Sequence, residues 1–405
     1  MPMSRDAMIA LFDVGVRAAD PRAAVRTSLE AAPLPAAKRV FLLAFGKAAC
    51  AMAQAALPLL PVPHAALVIT NPENATQVPG ATVIAAGHPV PDAEGLRAGL
   101  AAEALLAQAG AGDHVLVLVS GGGSALLPAP VAGLTLEDKA AVNRLLLGAG
   151  LDIVAMNSVR QHLSRLKGGG MLRVAAPAPV TALILSDVIG DDLRAIASGP
   201  TVAPLLPRAD VVAMLQAHEL WDRLPAAARA VLARADDPAP LPCADNRLVG
   251  SNALSLAAMA QACPEARCAH APLLGDVAQA AERIVALAGA GPGTTLLGGE
   301  TTVMLRGKGR GGRNQELALR VALALEGRAG WRFLSAGTDG RDGPTDAAGA
   351  VVDGESCARI RAAGADPEAL LAENDSYHAL RCAGDLLITG GTGTNVADLQ
   401  IFSCA

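Results

Sequence analysis

One feature of this 405-residue sequence restricts its fold more than any other: short, nearly uninterrupted apolar runs alternate with longer Ala/Leu-rich stretches. Such a run is the pattern of a strand buried on both faces. Candidate strands cover residues 40–45, 66–70, 82–86, 114–119, 181–186, 294–297, 301–305, 331–335, 385–389 and 396–402. Helical stretches such as 47–57 and 94–108 lie between them. The alternation predicts α/β layers: an N-terminal Rossmann-like parallel or mixed sheet with helices on both faces, then a mixed α/β domain. The Pro-rich segment 235–246, ADDPAPLPCADN, has no periodicity and reads as the linker. Domains are therefore expected over 1–240 and 241–405. In the second, closer strand spacing suggests hairpins near 296–305 and 385–402.

The ends of the strands hold the chemistry. In open α/β sheets, ligands sit beyond the carboxyl ends of strands. Here strand 40–45 runs into Gly46-Lys47, strand 82–86 into Gly87-His88-Pro89, and strand 114–119 into Ser120-Gly121-Gly122-Gly123-Ser124. Strand 181–186 runs into a loop with Asp187, Asp191 and Asp192, and strand 331–335 into one with Thr338, Asp339 and Asp342. The last strands flank the Gly/Thr-rich segment 390–395. Six loops of this kind suggest one extended polar site.

Composition removes several alternatives. There are 33 basic against 38 acidic residues, a net charge of −5, and only eight aromatic residues: two Trp, one Tyr and five Phe. With no basic stripe and no stacking platform, nucleic acid is not the expected partner. No apolar run is long enough to span a membrane, and the N-terminus reads as an amphipathic helix rather than a signal peptide. The seven Cys are scattered without a C-x-x-C pair, as expected of reduced thiols in a cytoplasmic protein.

Each loop has a definite chemical reading. Three glycines between Ser120 and Ser124 leave backbone N–H groups open to phosphate or carboxylate oxygens. Lys47 reads as lying in the first turn of a helix, where the dipole disfavours a cation, so it draws a role as an anion partner. It is not part of a P-loop, because Phe41 and Ala48 stand where that motif needs Gly and Ser or Thr. Asp187 is expected to bind Mg²⁺ or act as a base, with capping explaining one of Asp191 and Asp192. His88 reads as a loop histidine. Residues 157–170, with Lys167, read as a helix closed by glycines. The 307–312 segment matches G-x-G-x-x-G, but Lys308, Arg310 and Arg313 load it with charge. That argues against a dinucleotide and for a mobile cationic loop that clamps phosphate or carboxylate.

These residues fall in motifs that resemble the glycerate 2-kinase family, whose C-terminal part is the MOFRL domain. The motifs are FGKAA at 45–49, GHPVPD at 87–92, SGGGSALL at 120–127, LSRLKGGG at 163–170 and SDVIGDDLRAIASGPT at 186–201. They continue with GGETTV at 298–303, GRGGRNQELAL at 309–319, AGTDGRDGPTDAAGAVVD at 336–353 and ITGGTGTNVADLQI at 388–401. The resemblance implies ATP- and Mg²⁺-dependent phosphorylation of D-glycerate at its 2-hydroxyl, in a cleft between two α/β domains. Members are often labelled hydroxypyruvate reductase, so an NAD(P)-dependent reductase stands as the alternative.

On that reading Lys47, Asp187 and Arg313 are catalytic. Ser120, Gly121, Gly122, Gly123, Ser124, His88, Lys167, Asn314, Glu300 and Thr338 bind substrate or nucleotide. Asp187, Asp339 and Asp342 are the metal candidates. The expected partners are glycerate and ATP, and a homodimer stays open.

Overall fold

The computed structural model describes residues 1–60 and 64–405. Strands β1 (Val40–Phe45), β2 (His64–Thr70), β3 (Thr82–Ala85), β4 (His114–Val119), β5 (Val180–Leu185) and β6 (Ala244–Gly250) form one sheet in the order β3-β2-β1-β4-β5-β6. The pairings of β2 with β3, β1 with β2, β1 with β4 and β4 with β5 are all parallel. Every residue of β1, β4 and β5 is buried, so each strand can be apolar on both sides. Helices Ala49–Ala56 and Ala93–Leu106 pack against these strands.

β6 corrects the linker reading. Residues 244–250 form an edge strand, and only the first part of the Pro-rich stretch is irregular. Its polar composition disguised it, because an edge strand is only half-buried. Thr201 donates to Asn246 Oδ1 at 2.6 Å there.

A second sheet contains β7 (Arg267–Cys268), β8 (Leu273–Asp276), β9 (Gly293–Thr302), β10 (Trp331–Gly337), β11 (Gly349–Asp353), β12 (Leu386–Leu387) and β13 (Asp398–Cys404). Its order is β12-β11-β10-β13-β9-β7, with β8 also on β9. The pairs from β12 to β9 are antiparallel, and β7 and β8 run parallel to β9. The hairpin expected at 296–305 is instead one continuous strand, β9. Gly298 and Gly299 lie inside it, where a Cβ would collide with the Asn252 side chain and the Leu273 backbone. The second expected hairpin also fails, since β12 pairs with β11 and β13 lies between β10 and β9. Helix Arg313–Ala324 packs on this sheet, and Trp331, Phe333 and Phe402 fill the layer between, with the Trp331 and Phe402 rings 6.3 Å apart.

The chain divides into a unit of residues 21–186 and 191–249 and a unit of residues 1–20, 187–190 and 250–405. The expected boundary at 240 therefore lies short of the change at Gly250, and helix Arg5–Ala18 belongs with the C-terminal sheet. Ser4 caps that helix, and its buried Met8 and Phe12 pack with Met259, Leu399 and Ile401. Each such side chain contributes about 1.5–3 kcal/mol, which ties the helix to this unit. Amphipathic spacing showed that a helix forms, but not which sheet receives its apolar face.

Candidate active site: two polar centres

The strand order 3-2-1-4-5-6 reverses direction between β1 and β4, and ligands bind α/β sheets at the carboxyl ends of strands at such a switch point. Gly46 and Lys47 leave β1 there, and Ser120 leaves β4. The two loops interlock: Lys47 N donates to Gly121 O at 2.9 Å, and Ala48 N to Ser120 Oγ at 3.1 Å. Gly46 has φ +118°, and a Cβ on it would collide with Ser120, so only glycine lets the loops close this tightly. The His88 ring lies against Gly122 and near Lys47. Burial, then the Lys47 charge, pushes its pKa below the usual value, which leaves a neutral imidazole at pH 7.

Lys47 itself precedes helix Ala49–Ala56 rather than standing in its first turn. It stands just before the N-cap, still at the positive end of the helix dipole, which disfavours a cation there. Among the described residues its ammonium has no ion-pair partner, and it is only half-buried.

Lys167 is placed differently from expectation. The helix Ile153–His162 ends before it, and Gly170 opens a new helix, Gly170–Ala175, rather than closing the old one. Lys167 is buried and donates to Ser124 O at 2.9 Å and Ser124 Oγ at 2.6 Å. Burial, then Lys139 and Arg160, pulls its pKa well below the ordinary lysine value. It therefore props the glycine loop. The hydroxyls of Ser124 and Ser198 are 2.9 Å apart, and Ser198 donates to Asn157 Oδ1 at 3.3 Å. Ala197 and Ser198 have φ of +49° and +62°. Non-glycine residues held there cost about 1–3 kcal/mol each and cluster at functional sites. Asn157 and Ser198 were missed in sequence, although Ala-Ser-Gly-Pro at 197–200 already marked an irregular turn.

The second centre lies at the start of helix Arg313–Ala324. Arg313 Nε and Nη2 donate to Asp398 Oδ2 and Oδ1 at 2.6 and 3.0 Å, and Nη1 lies 2.9 Å from Glu300. Burial opposes the guanidinium charge, but these two carboxylates outweigh it and raise the arginine's pKa. Glu300 is pushed up by desolvation and by Asp398, Asp187 and Asp339, with Arg313 pulling the other way. Asp398 is a positioning residue that sequence reading missed. Its signal was a lone acid heading an apolar run, and it is fully buried.

Three neighbours hold structure rather than reach outward. Asp342 accepts from Asn314 N at 3.1 Å and Gln315 N at 2.8 Å, so each of its oxygens meets a backbone N–H in the first turn of the helix. Burial pushes its pKa up to about 6. Asn314 Oδ1 accepts from Ser335 at 2.6 Å. Thr338 donates to Ala397 O at 2.6 Å and accepts from Val396 N at 2.9 Å, which clamps the loop after β10. The 307–312 turn is tied down as well: Arg306 N and Gly307 N donate to Asn374, Gly309 N donates to Glu373 O, and Arg310 lies over the Tyr377 ring. A freely moving clamp does not fit these contacts, and of the three cations expected there only Arg313 meets the acidic centre.

Among the described residues no three His, Cys, Asp or Glu side chains converge as a ready-made metal cluster. Asp192 accepts from Arg194 N at 2.9 Å and pairs with its guanidinium, and a 3-10 turn, Ile196–Ser198, follows in place of the expected helix. Asp191, at φ +55°, buries Oδ1 without a hydrogen-bond partner. An orphaned carboxylate oxygen suits a hard cation that keeps waters and phosphates as its other ligands.

Known proteins match this arrangement along nearly its whole length. Residues 7–233 match the family model described as a domain of unknown function, DUF4147, and residues 293–398 match the MOFRL family. The D-glycerate 2-kinase of Thermotoga maritima is 39% identical over 90% of this chain and 90% of that protein. A crystal structure of glycerate kinase from the same organism superposes with a TM-score of 0.91, at 36% identity, covering 98% of each chain. This chain belongs to the glycerate 2-kinase family. The glycerate 2-kinase of Pyrococcus horikoshii is 35% identical over 98% of this chain and 96% of that protein. These matches bear out the family resemblance carried by the sequence motifs and the two-sheet α/β fold.

Proposed function

We propose that this enzyme transfers the γ-phosphoryl group of ATP to the 2-hydroxyl of D-glycerate, giving 2-phosphoglycerate and ADP. The observation that carries the reading is the junction of Gly46-Lys47 with Ser120–Ser124 at the switch point of a Rossmann-like sheet. There, among the described residues, a lysine without an ion-pair partner stands beside the glycine loop. Phosphoryl transfer asks a protein mainly for positioning and charge stabilisation. In this reading the Ser120–Ser124 loop cradles phosphate, Lys167 and Ser198 hold it rigid, and Lys47 stabilises charge on the transferring group. Arg313, aimed by Asp398, binds the glycerate carboxylate, which a guanidinium suits by its paired N–H groups. Asp187 takes the proton from the 2-hydroxyl as its oxygen attacks phosphorus and the bond to ADP breaks.

Mg²⁺ would be held by Asp187 and Asp339 with the ATP phosphates. The ion's contribution is to neutralise phosphate charge. A cytoplasmic setting fits the seven free cysteines, and a homodimer is compatible with the reading. The deciding assay follows ADP release and NADH oxidation side by side, with D-glycerate and with hydroxypyruvate. Glycerate-dependent ADP release without NADH oxidation is expected. NADH oxidation with hydroxypyruvate, and no ADP release, would replace the kinase by the reductase.

A further inference from the structure

Residues 303–312 lead from β9 into helix Arg313–Ala324, and here glycines alternate with cations: Gly307, Gly309 and Gly311 follow Arg306, Lys308 and Arg310. A Cβ on Gly307, Gly309 or Gly311 would collide with Glu373, Asp375 or Ser376 respectively. None of the three glycines has a positive φ, so close approach rather than backbone freedom excludes a side chain there. The segment that matches a dinucleotide turn is thus a strip pressed along residues 373–376, with its three cations exposed.

Hydrogen bonds run along the strip. Gly309 N donates to Glu373 O at 2.8 Å, Arg310 N to Asp375 Oδ1 at 3.0 Å, and Tyr377 N to Arg310 O at 3.0 Å. Asn374 contributes the most. Its Oδ1 accepts from Arg306 N at 2.7 Å and Gly307 N at 3.0 Å, and its Nδ2 donates to Met304 O at 3.3 Å and Glu316 Oε2 at 3.0 Å. Asn374 is buried, with φ +54°, a left-handed conformation that Asn tolerates better than most residues. Glu316 is buried too, and its Oε1 accepts from Arg320 at 2.8 and 3.1 Å. It follows Arg313 by three residues, within one turn of the helix. Asn374 therefore ties the segment before Arg313 to the helical turn after it.

We propose that Asn374 is a positioning residue for the reaction. By clamping residues 304–307 to Glu316 it fixes where helix Arg313–Ala324 begins, and so where the Arg313 guanidinium points. Asp398 and Glu300 can orient that guanidinium only once its backbone is in place. A misplacement of about 1 Å caused far from the chemistry can cost about 10²-fold in rate. The inference rests on the kinase reading for the contact between Arg313 and glycerate; the clamp itself does not.

Limited trypsin cleavage and kinetics on the full chain test it. Asn374→Gly removes the clamp and keeps the left-handed backbone. Gly309→Ala pushes the strip off Asp375 and leaves Asn374 in place. In each variant, cleavage after Arg306, Lys308 and Arg310 should quicken by about tenfold or more, since cutting follows the population of the opened segment. KM for glycerate should rise about tenfold, with KM for ATP within about twofold of wild type. In the Arg313→Lys background the KM effect of Asn374→Gly should largely vanish, because residues acting as one unit are non-additive. Unchanged cleavage in both folded variants overturns the proposal. So does a loss that simply adds to that of Arg313→Lys, which a role in stability alone would give. If Asn374→Gly does not fold, Gly309→Ala carries the same cycle. A wild type without glycerate-dependent ADP release fails the kinase reading instead, and the cleavage rates still decide whether the clamp exists.

Discussion

The two polar centres use opposite electrostatics. Around the glycine cradle the basic groups have neutral partners: among the described residues Lys47 forms no ion pair, and Lys167 donates to the carbonyl and hydroxyl of Ser124. At the start of helix Arg313–Ala324 the Arg313 guanidinium meets two carboxylates, Asp398 and Glu300, with Asp187 and Asp339 near enough to raise Glu300. A centre of uncompensated cations lowers the cost of bringing in phosphate or carboxylate. A centre with excess carboxylate favours a cation or a proton instead. Phosphoryl transfer needs both, and here they are built on different sheets.

Perturbing the acidic centre should have the largest effect. Asp187→Asn removes the proposed base, so kcat should fall by about 10³-fold or more, within the range general bases supply. The melting temperature should stay within about a few degrees. An unfolded variant would make Asp187 a structural residue, and full activity would remove it from the centre.

Lys47→Ala tests the cradle in the same way. A loss of about 10²-fold in turnover is expected, the scale of one aimed electrostatic partner. Folding should change little, because the ammonium is half-exposed and, among the described residues, forms no ion pair. Wild-type turnover in the folded variant would remove Lys47 from the reaction.

Arg313→Lys keeps the charge but loses the planar fork that meets both Asp398 oxygens. KM for glycerate should rise and kcat should fall, together by roughly tenfold, or about 1.4 kcal/mol. An unchanged KM would show that Arg313 organises the acids without touching substrate.

The smallest effect concerns stability. Burial holds the Lys139 pKa at about 7, against 10.5 for an ordinary lysine. Between these values the unfolded chain binds more protons, so this group's contribution to stability rises with pH across that window. Its penalty is complete below about pH 7. Lys139→Met should therefore raise the melting temperature at pH 7, and the gain should shrink by pH 10. An equal shift at both values would show that the ammonium's burial is not the cause.

The strands of the parallel sheet were legible because a strand buried on both faces must be apolar throughout, and 40–45 and 114–119 match the observed bounds. Strand 244–250 was not legible, because a half-exposed edge tolerates the polar residues that also mark a linker. The hairpin expected near 296–305 failed for a related reason: closely spaced apolar runs look alike whether the chain turns between them or continues as one strand through Gly298 and Gly299. Lys47, Arg313 and the glycine loop stood out as charge or flexibility placed at the ends of buried runs. Asp398, Ser198 and Asn157 did not, since their roles come from partners up to 85 residues away.

The sequence alone therefore determined the layered α/β class and the family, and pointed to the loops proposed to carry chemistry. Each depends on local pattern: period, burial on two faces, and residue type at a strand's end. Only the tertiary structure decided that helix Arg5–Ala18 joins the C-terminal sheet. It alone showed that Asp342 accepts from the first turn of helix Arg313–Ala324, and that Lys167 props the glycine loop from within. Those outcomes depend on which distant group arrives at hydrogen-bond distance, and a buried charge takes its role from that partner.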